Sequence, residues 1–203
     1  LDLFSLKARG GTAAEAGVYG ASQNLALMPG LAAMAFAPLL VSSLTRLRKA
    51  GAGASFRRLA RDALRGAVLT TPLAGLTAGA AVEIVELVYG PGFRPAGPLL
   101  ARLIFAGHAL MLVSLAAAVL TAADRPGWTF ALAGPMVPLA LAGHLLLIPA
   151  LGAEGAATVT LTVAGLGALA QLGAVRRQCR VRLPVWSLWR GGLVSGLAYV
   201  AAA

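Results

Sequence analysis

The side chains best suited to chemistry in this sequence are polar groups that stand inside apolar stretches. The amides Gln23 and Asn24 lie within the apolar run 13–48. No charged residue lies between Glu15 and Arg46 in that run, and about 20 apolar residues are enough to cross the hydrocarbon core of a bilayer. An amide in lipid must find a hydrogen-bond partner, so we expect these side chains to face neighbouring helices or a water-filled cavity.

Several ionisable residues have two interpretations each. Leu1 is not an initiator Met, so we interpret the chain as a fragment in which Asp2 is either a cation or proton site or an interfacial helix cap. Glu83 and Glu86 are either ion ligands or a solvated helix end. Arg102 is expected to extend to the outer headgroups. His108 lies deeper and is either a hydrogen-bonded packing residue or a proton carrier.

Catalytic motifs are missing from the sequence. It contains no Gly-x-Ser-x-Gly nucleophile motif, no phosphate-binding glycine loop, and no His, Cys and carboxylate group at metal-ligand spacing. Cys179 is the single cysteine, which excludes a disulfide and a cysteine-based metal site within the chain. We therefore predict that the protein is not an enzyme and needs no cofactor or metal.

Composition predicts a membrane protein. Hydrophobic residues make up 59% of the 203 residues and charged residues 12%, which is too little charge to cover the surface of a soluble domain. The net charge of +10 comes from cations at the ends of apolar runs, without interleaved aromatic residues. That arrangement is typical of membrane topology, and it argues against nucleic acid as a partner.

The run 13–48 is expected to be the helix around which the others are organised. Pro29, followed by Gly30, and Pro38 interrupt it, which predicts a kinked or broken helix. Further spans are predicted at 66–89, 99–122, 128–149 and 156–175, with a tight return near Gly152. A last apolar run starts at Pro184.

The basic linker after the first span has helical periodicity. Phe56, Leu59, Ala63 and Leu64 recur at helical spacing, and most of the arginines fall on the other face. We expect this linker to lie on an anionic leaflet before the chain turns inward.

Cations concentrate in alternate loops. One set lies in the first linker, at Arg125 and at 176–182, and far fewer cations lie at Lys7, Arg9 and Arg94. The positive-inside rule then makes the first set cytoplasmic and predicts a multi-pass membrane protein.

Four stretches carry a resemblance that covers nearly the whole chain in order. They are AGVYGA at 16–21, LVYGPGF at 87–93, LTAADRPG at 120–127 and LIPALGAEGAA at 147–157. In these stretches the sequence resembles the second half of polysaccharide flippases of the multidrug/oligosaccharidyl-lipid/polysaccharide exporter (MOP) superfamily.

The resemblance implies an all-α, polytopic membrane helix bundle that forms the C-terminal lobe of a two-lobed MATE-like transporter. Residues 1–182 would be this lobe, with about six transmembrane helices of which the first is truncated. Residues 183–203 would start an additional transmembrane helix, and the N-terminal lobe of the same chain would be missing.

The same resemblance implies a function. The protein would flip a lipid-linked oligosaccharide or polysaccharide repeat unit across the cell inner (cytoplasmic) membrane by alternating access. Its partners would be a polyprenyl-pyrophosphate-linked oligosaccharide and the lipid bilayer, whose hydrocarbon can hold the polyprenyl tail. By position the substrate-binding residues would be Asp2, Tyr19, Gln23 and Asn24, with Arg102 and His108 as further candidates.

Two departures and two alternatives accompany this interpretation. Family members often carry an acidic residue where Ala52 stands and an Asn early in the helix that holds His144, so ion-coupling details are not carried over. A drug/cation antiporter of the same superfamily would be expected to use intramembrane carboxylates. In a membrane scaffold or polymerase subunit of polysaccharide assembly, Gln23 and Asn24 would only join helices.

Overall fold

The computed structural model describes residues 12–181, 192–197 and 199–200, and within them the chain is helical with no strand. The first half comprises α1 (Ala13–Ala26), α2 (Met28–Lys49), α3 (Gly53–Leu69), α4 (Thr71–Gly79) and α5 (Ala81–Tyr89). A 3₁₀ helix (Pro91–Ala96), α6 (Gly97–Ala122), α7 (Pro126–Ala133) and a long helical run (Met136–Cys179) follow, and residues 192–197 are also helical. The all-α prediction is confirmed for the described residues.

The long run Met136–Cys179 is a helical hairpin. Gly152 has φ 55° and ψ −133°, a conformation that favours glycine, and it separates α8 (136–151) from α9 (153–179). A Cβ on Gly143 would lie 2.8 Å from Cγ1 of Val159. In a straight helix those residues would be about 24 Å apart, so the two arms run antiparallel. The return predicted near Gly152 is present.

Helix α6 forms the centre of the bundle. In Pro91–Ala122, 61% of the most apolar 18-residue stretch is buried inside the bundle. The corresponding buried fractions are 17% in Met28–Lys49 and 11% in Pro126–Cys179. Residues of α6 belong to both hydrophobic clusters, and α1, α2, α4, α8 and α9 all contact it. The expectation that the run 13–48 would organise the bundle is therefore wrong, because α6 holds the central position and most of Met28–Lys49 is exposed.

Among the described residues, three helical segments are long and apolar enough to cross a membrane: Met28–Lys49, Pro91–Ala122 and Pro126–Cys179. A fourth candidate is the segment Gly53–Gly79 with Ala81–Tyr89, which meet at an angle of 69°. Large apolar side chains such as Phe36, Leu87 and Phe130 are exposed on the outside of the bundle. Such a surface suits hydrocarbon better than water and agrees with the predicted membrane association.

The basic linker packs on protein. Helix α3 begins at Gly53 and continues with α4 as one segment. The side chains of Phe56, Ala60 and Leu64 are buried in the cluster that also contains Leu44 and Leu120. The predicted helical periodicity is confirmed, and its buried side contacts neighbouring helices, while contact of this linker with an anionic leaflet stays a prediction. The arginines stay exposed on the opposite face.

Candidate functional site

The first candidate site is a break between α1 and α2. Helix α1 ends at Ala26 and α2 begins at Met28, with Leu27 between them at φ −72° and ψ −18°. The predicted interruption is present near Pro29, whereas α2 continues through Pro38. Pro29 stands in the first turn of α2 and has no N–H, which deprives the carbonyl of Leu25 of its usual donor four residues later. The N–H of Leu27 points back to the carbonyls of Gln23 and Leu25.

Helix α6 approaches this break closely at Gly107. A Cβ at that position would collide with the carbonyl oxygen of Ala26, so only glycine permits the observed approach. The Ser22 hydroxyl lies 2.8 Å from the carbonyl oxygen of Ala96 and 3.1 Å from that of Val18. These contacts fix one side of α1 against the central helix and the 3₁₀ helix.

The amide pair lies on two sides of α1. Gln23 is half-buried and Asn24 is exposed. Within the described part of the chain, neither amide makes a side-chain hydrogen bond. An amide group both donates and accepts hydrogen bonds, so each side chain can bind a hydroxyl or another polar group.

Tyr19 has a different environment from the amides. Its side chain is fully buried in a cluster with Ala74, Leu100 and Ala156, where α1 meets α4, α6 and α9. The residue is therefore part of the helix packing, on the side of α1 that faces away from Asn24.

His108 lies in the contact between α6 and α4. Its Nε2 atom is 3.0 Å from Oγ1 of Thr71, and the side chain is buried. The Thr71 hydroxyl donates its one proton to the carbonyl of Val68 at 2.6 Å. In this arrangement His108 Nε2 is the donor and Thr71 Oγ1 the acceptor, which matches the hydrogen-bonded packing interpretation.

A cavity joins His108 to the helix break. It has a volume of about 340 Å³ and is lined mainly by apolar groups, including Leu25, Met28 and Pro29 on one side and His108 on the other. Gln23 and Asn24 do not line it. The structure thus brings one predicted site residue to the break and leaves the amide pair outside this cavity.

Arg102 forms an ion pair across the bundle. Its Nη2 lies 3.1 Å from Oε2 of Glu154, which follows the turn at Gly152. Nearby in sequence, Arg94 donates to Glu86 at 2.8 Å. Arg102 is thus neutralised by a carboxylate at its own end of α6. Asp2 lies outside the described residues.

A mainly apolar pocket between α6, α7, α8 and α9 that contains a few polar side chains was not predicted. His144, Thr160 and Gln171 line it among apolar residues, and its volume is about 230 Å³. Gln171 is almost fully buried, and its Oε1 has no hydrogen-bond partner among the described residues. The signal was a lone amide inside an apolar run, the same signal that marked Gln23 and Asn24.

The cationic loops lie at one end of the bundle. Arg48 at the end of α2 contacts Asp124 after α6, at 3.2 Å. Cys179 at the end of α9 interacts electrostatically with Arg125 and Arg48. Arg102 and Glu154 lie at the opposite end of α6. The loops that were grouped by their positive charge in the sequence therefore lie together at one end of the bundle.

Metal binding has no support in the described part of the chain, where no three His, Cys, Asp or Glu residues come together to hold an ion. Comparisons of this chain with protein-family models, with curated proteins and with solved structures found no match. The candidate function therefore depends on the chain's own residues and on the resemblance described above.

Proposed function

We propose that this chain flips a lipid-linked oligosaccharide or polysaccharide repeat unit across the cytoplasmic membrane by alternating access. The observation that carries this proposal is the break at Leu27 beside Gln23 and Asn24. Broken helices with polar groups at the break are typical of transporters, in which the break lies near the substrate path.

The chemistry of the amides supports a sugar as the cargo. Asn24 is exposed on the side of α1 away from the packed Tyr19, and it offers one carbonyl acceptor and two N–H donors. Sugar hydroxyls need donors and acceptors together. Gln23, half-buried one residue earlier, offers the same groups at a different angle around the helix.

The proposed arrangement is the C-terminal lobe of a two-lobed, MATE-like transporter in the inner membrane. The low burial of α2, of which Leu31, Met34 and Leu39 are exposed, supports a neighbour beyond this lobe or contact with lipid tails. Asp2, Tyr19, Arg102 and His108 remain proposed substrate-binding residues.

The test is a complementation experiment on the gene that encodes this chain. Deletion is expected to accumulate lipid-linked oligosaccharide on the cytoplasmic face of the inner membrane. The wild type should relieve the accumulation, and Gln23→Leu with Asn24→Leu should not. Thr162→Val is the matched control, because Thr162 is exposed on α9 and its hydroxyl bonds within its own helix. Protein levels are measured by immunoblot in each strain.

Three outcomes would contradict the proposal. Unchanged sidedness with altered drug efflux would favour the drug/cation antiporter. Unchanged sidedness with altered polymer length would favour the scaffold or polymerase subunit. Full complementation by the double variant would contradict the part of the proposal that assigns Gln23 and Asn24 to the substrate site.

A further inference from the structure

A groove at the cationic end of the bundle combines apolar walls with a charged mouth. It lies between α7 and the last turns of α9 and has a volume of about 700 Å³. We call it the α7–α9 groove, and its lining includes Trp128, Leu132, Leu169, Gly173, Arg176 and Arg177. It shares Leu132 with the pocket that holds His144, and it has no lining residue in common with the cavity at the helix break.

The mouth of the groove carries two available guanidinium groups. Arg176 and Arg177 are exposed, and neither makes an ion pair with a described residue. The carboxylate of Asp124, at the same end of the bundle, is engaged by Arg48. Guanidinium groups bind phosphate oxygens in two-point contacts, so this mouth is suited to a phosphate group.

The walls below the mouth are apolar. Leu169 lies two helical turns before Arg176, which places it about 10 Å deeper along α9. Leu132 lines the opposite wall, on α7. A Cβ placed on Gly173 would meet no atom of another helix within 4 Å. The floor of the groove is therefore open between the arginines at its mouth and the leucines on its walls.

The rim carries Trp128, which is partly exposed at the start of α7. Tryptophan is enriched where hydrocarbon meets the headgroups, so the mouth lies at headgroup depth and the leucines lie at the depth of the acyl chains. A ligand that fills both parts needs an anionic head and a hydrocarbon tail.

We propose that the α7–α9 groove binds an anionic phospholipid of the cationic-side leaflet. The phosphate contacts Arg176 and Arg177, and one acyl chain lies along Leu132 and Leu169. Two positive charges without described counter-ions favour a lipid with net negative charge over a zwitterionic one. This inference does not rest on the proposed transport activity.

The test measures lipid binding to the purified full chain. Native mass spectrometry would compare dioleoyl phosphatidylglycerol with dioleoyl phosphatidylcholine. We expect the wild type to prefer phosphatidylglycerol by roughly tenfold or more, since each arginine adds to the attraction. Arg176→Gln with Arg177→Gln should remove this preference. Arg57→Gln with Arg58→Gln removes the same charge from the exposed face of α3 and should keep it.

A second variant tests the apolar part without changing charge. Gly173→Leu fills the open floor of the groove and should lower the retention of phosphatidylglycerol several-fold. Because a Cβ at Gly173 would meet no atom of another helix within 4 Å, the variant should fold, which its thermal unfolding midpoint checks.

Four results would overturn the proposal. The first is a wild-type chain that shows no preference for phosphatidylglycerol. The second is an equal loss of that preference in the variant of Arg176 and Arg177 and in the variant of Arg57 and Arg58. Displacement by inorganic phosphate alone, at concentrations that match the lipid, would indicate a site for free anions. Displacement by a polyprenyl pyrophosphate at far lower concentrations would indicate a site for an isoprenoid carrier.

Discussion

Arg48 and Asp124 stand 76 positions apart in the sequence, and their side chains meet at 3.2 Å. Asp124 has φ 62° in the turn after α6, and Arg48 also reaches the carbonyl of Ala122 at 3.5 Å. The two side chains are 47% and 78% exposed, so the pair contributes at most about 1 kcal/mol to stability. Its importance is spatial, because it joins the end of α2 to the turn that follows the central helix.

The contact between Arg48 and Asp124 predicts which loops lie on the same side of the membrane. In a Cys179→Ser background, Asp124→Cys and Arg177→Cys should react with a membrane-impermeant maleimide only in inverted vesicles. Arg94→Cys and Glu154→Cys should react only in spheroplasts, because they belong to the opposite end of α6. Labelling of Asp124→Cys and Arg177→Cys from different sides would contradict the arrangement.

Gly107 is predicted to be essential for the close approach of α6 to the helix break. Gly107→Ala adds a Cβ that collides with the Ala26 carbonyl, so we expect a loss of about 1–3 kcal/mol. Gly165→Ala on α9 is the matched control, since its Cβ meets nothing within 4 Å and alanine favours helix. Thermal unfolding in detergent measures both, and equal midpoints for the two variants would refute the prediction.

The hydrogen bond between Thr71 and His108 is predicted to stabilise the contact of α4 with α6. Thr71→Val leaves a buried imidazole N–H unsatisfied, at an expected cost of about 1–3 kcal/mol. Adding His108→Leu should recover much of that loss, because both polar partners are then gone. Thr77→Val is the control, as its hydroxyl bonds the carbonyl of Leu73 in its own helix. Additive losses in the double variant would argue against the bond.

Gln171 is predicted to reduce stability in its pocket. Gln171→Leu removes a buried oxygen that has no partner among the described residues, so we expect the free energy of unfolding to rise by about 1 kcal/mol. Gln178→Leu, near the end of α9, should change it by less than about 0.5 kcal/mol. A lower unfolding midpoint for Gln171→Leu would show instead that a bound water or ion satisfies the amide.

Features that depend on residues adjacent in the sequence were predicted correctly. The break near Pro29 follows from the missing N–H of proline, and the return at Gly152 follows from a glycine that adopts positive φ. The helical periodicity of α3 was predicted in the same way. Its apolar side packs on Leu44 and Leu120, which are distant in sequence, so the pattern alone did not distinguish protein from lipid as its neighbour.

The candidate site was predicted only in part. A polar residue inside an apolar run can be recognised from the sequence alone, which is why Gln23, Asn24 and His108 were predicted as candidate site residues. The residues that contact them cannot be recognised from the sequence, because a contact such as that of Thr71 with His108 joins two helices that are separated by turns of the chain. The pocket around Gln171 is formed by four helices and was missed for the same reason.

The sequence by itself determined that this chain is apolar and helical, that it is interrupted near Pro29 and Gly152, and which loops carry its cations, since each of these depends on local composition and backbone chemistry. Only the tertiary structure decided that α6 is the central helix, that Arg102 pairs with Glu154, and that Arg176 and Arg177 border a groove. Those relations depend on the close packing of helices, which follows from the shapes of side chains far apart in the sequence.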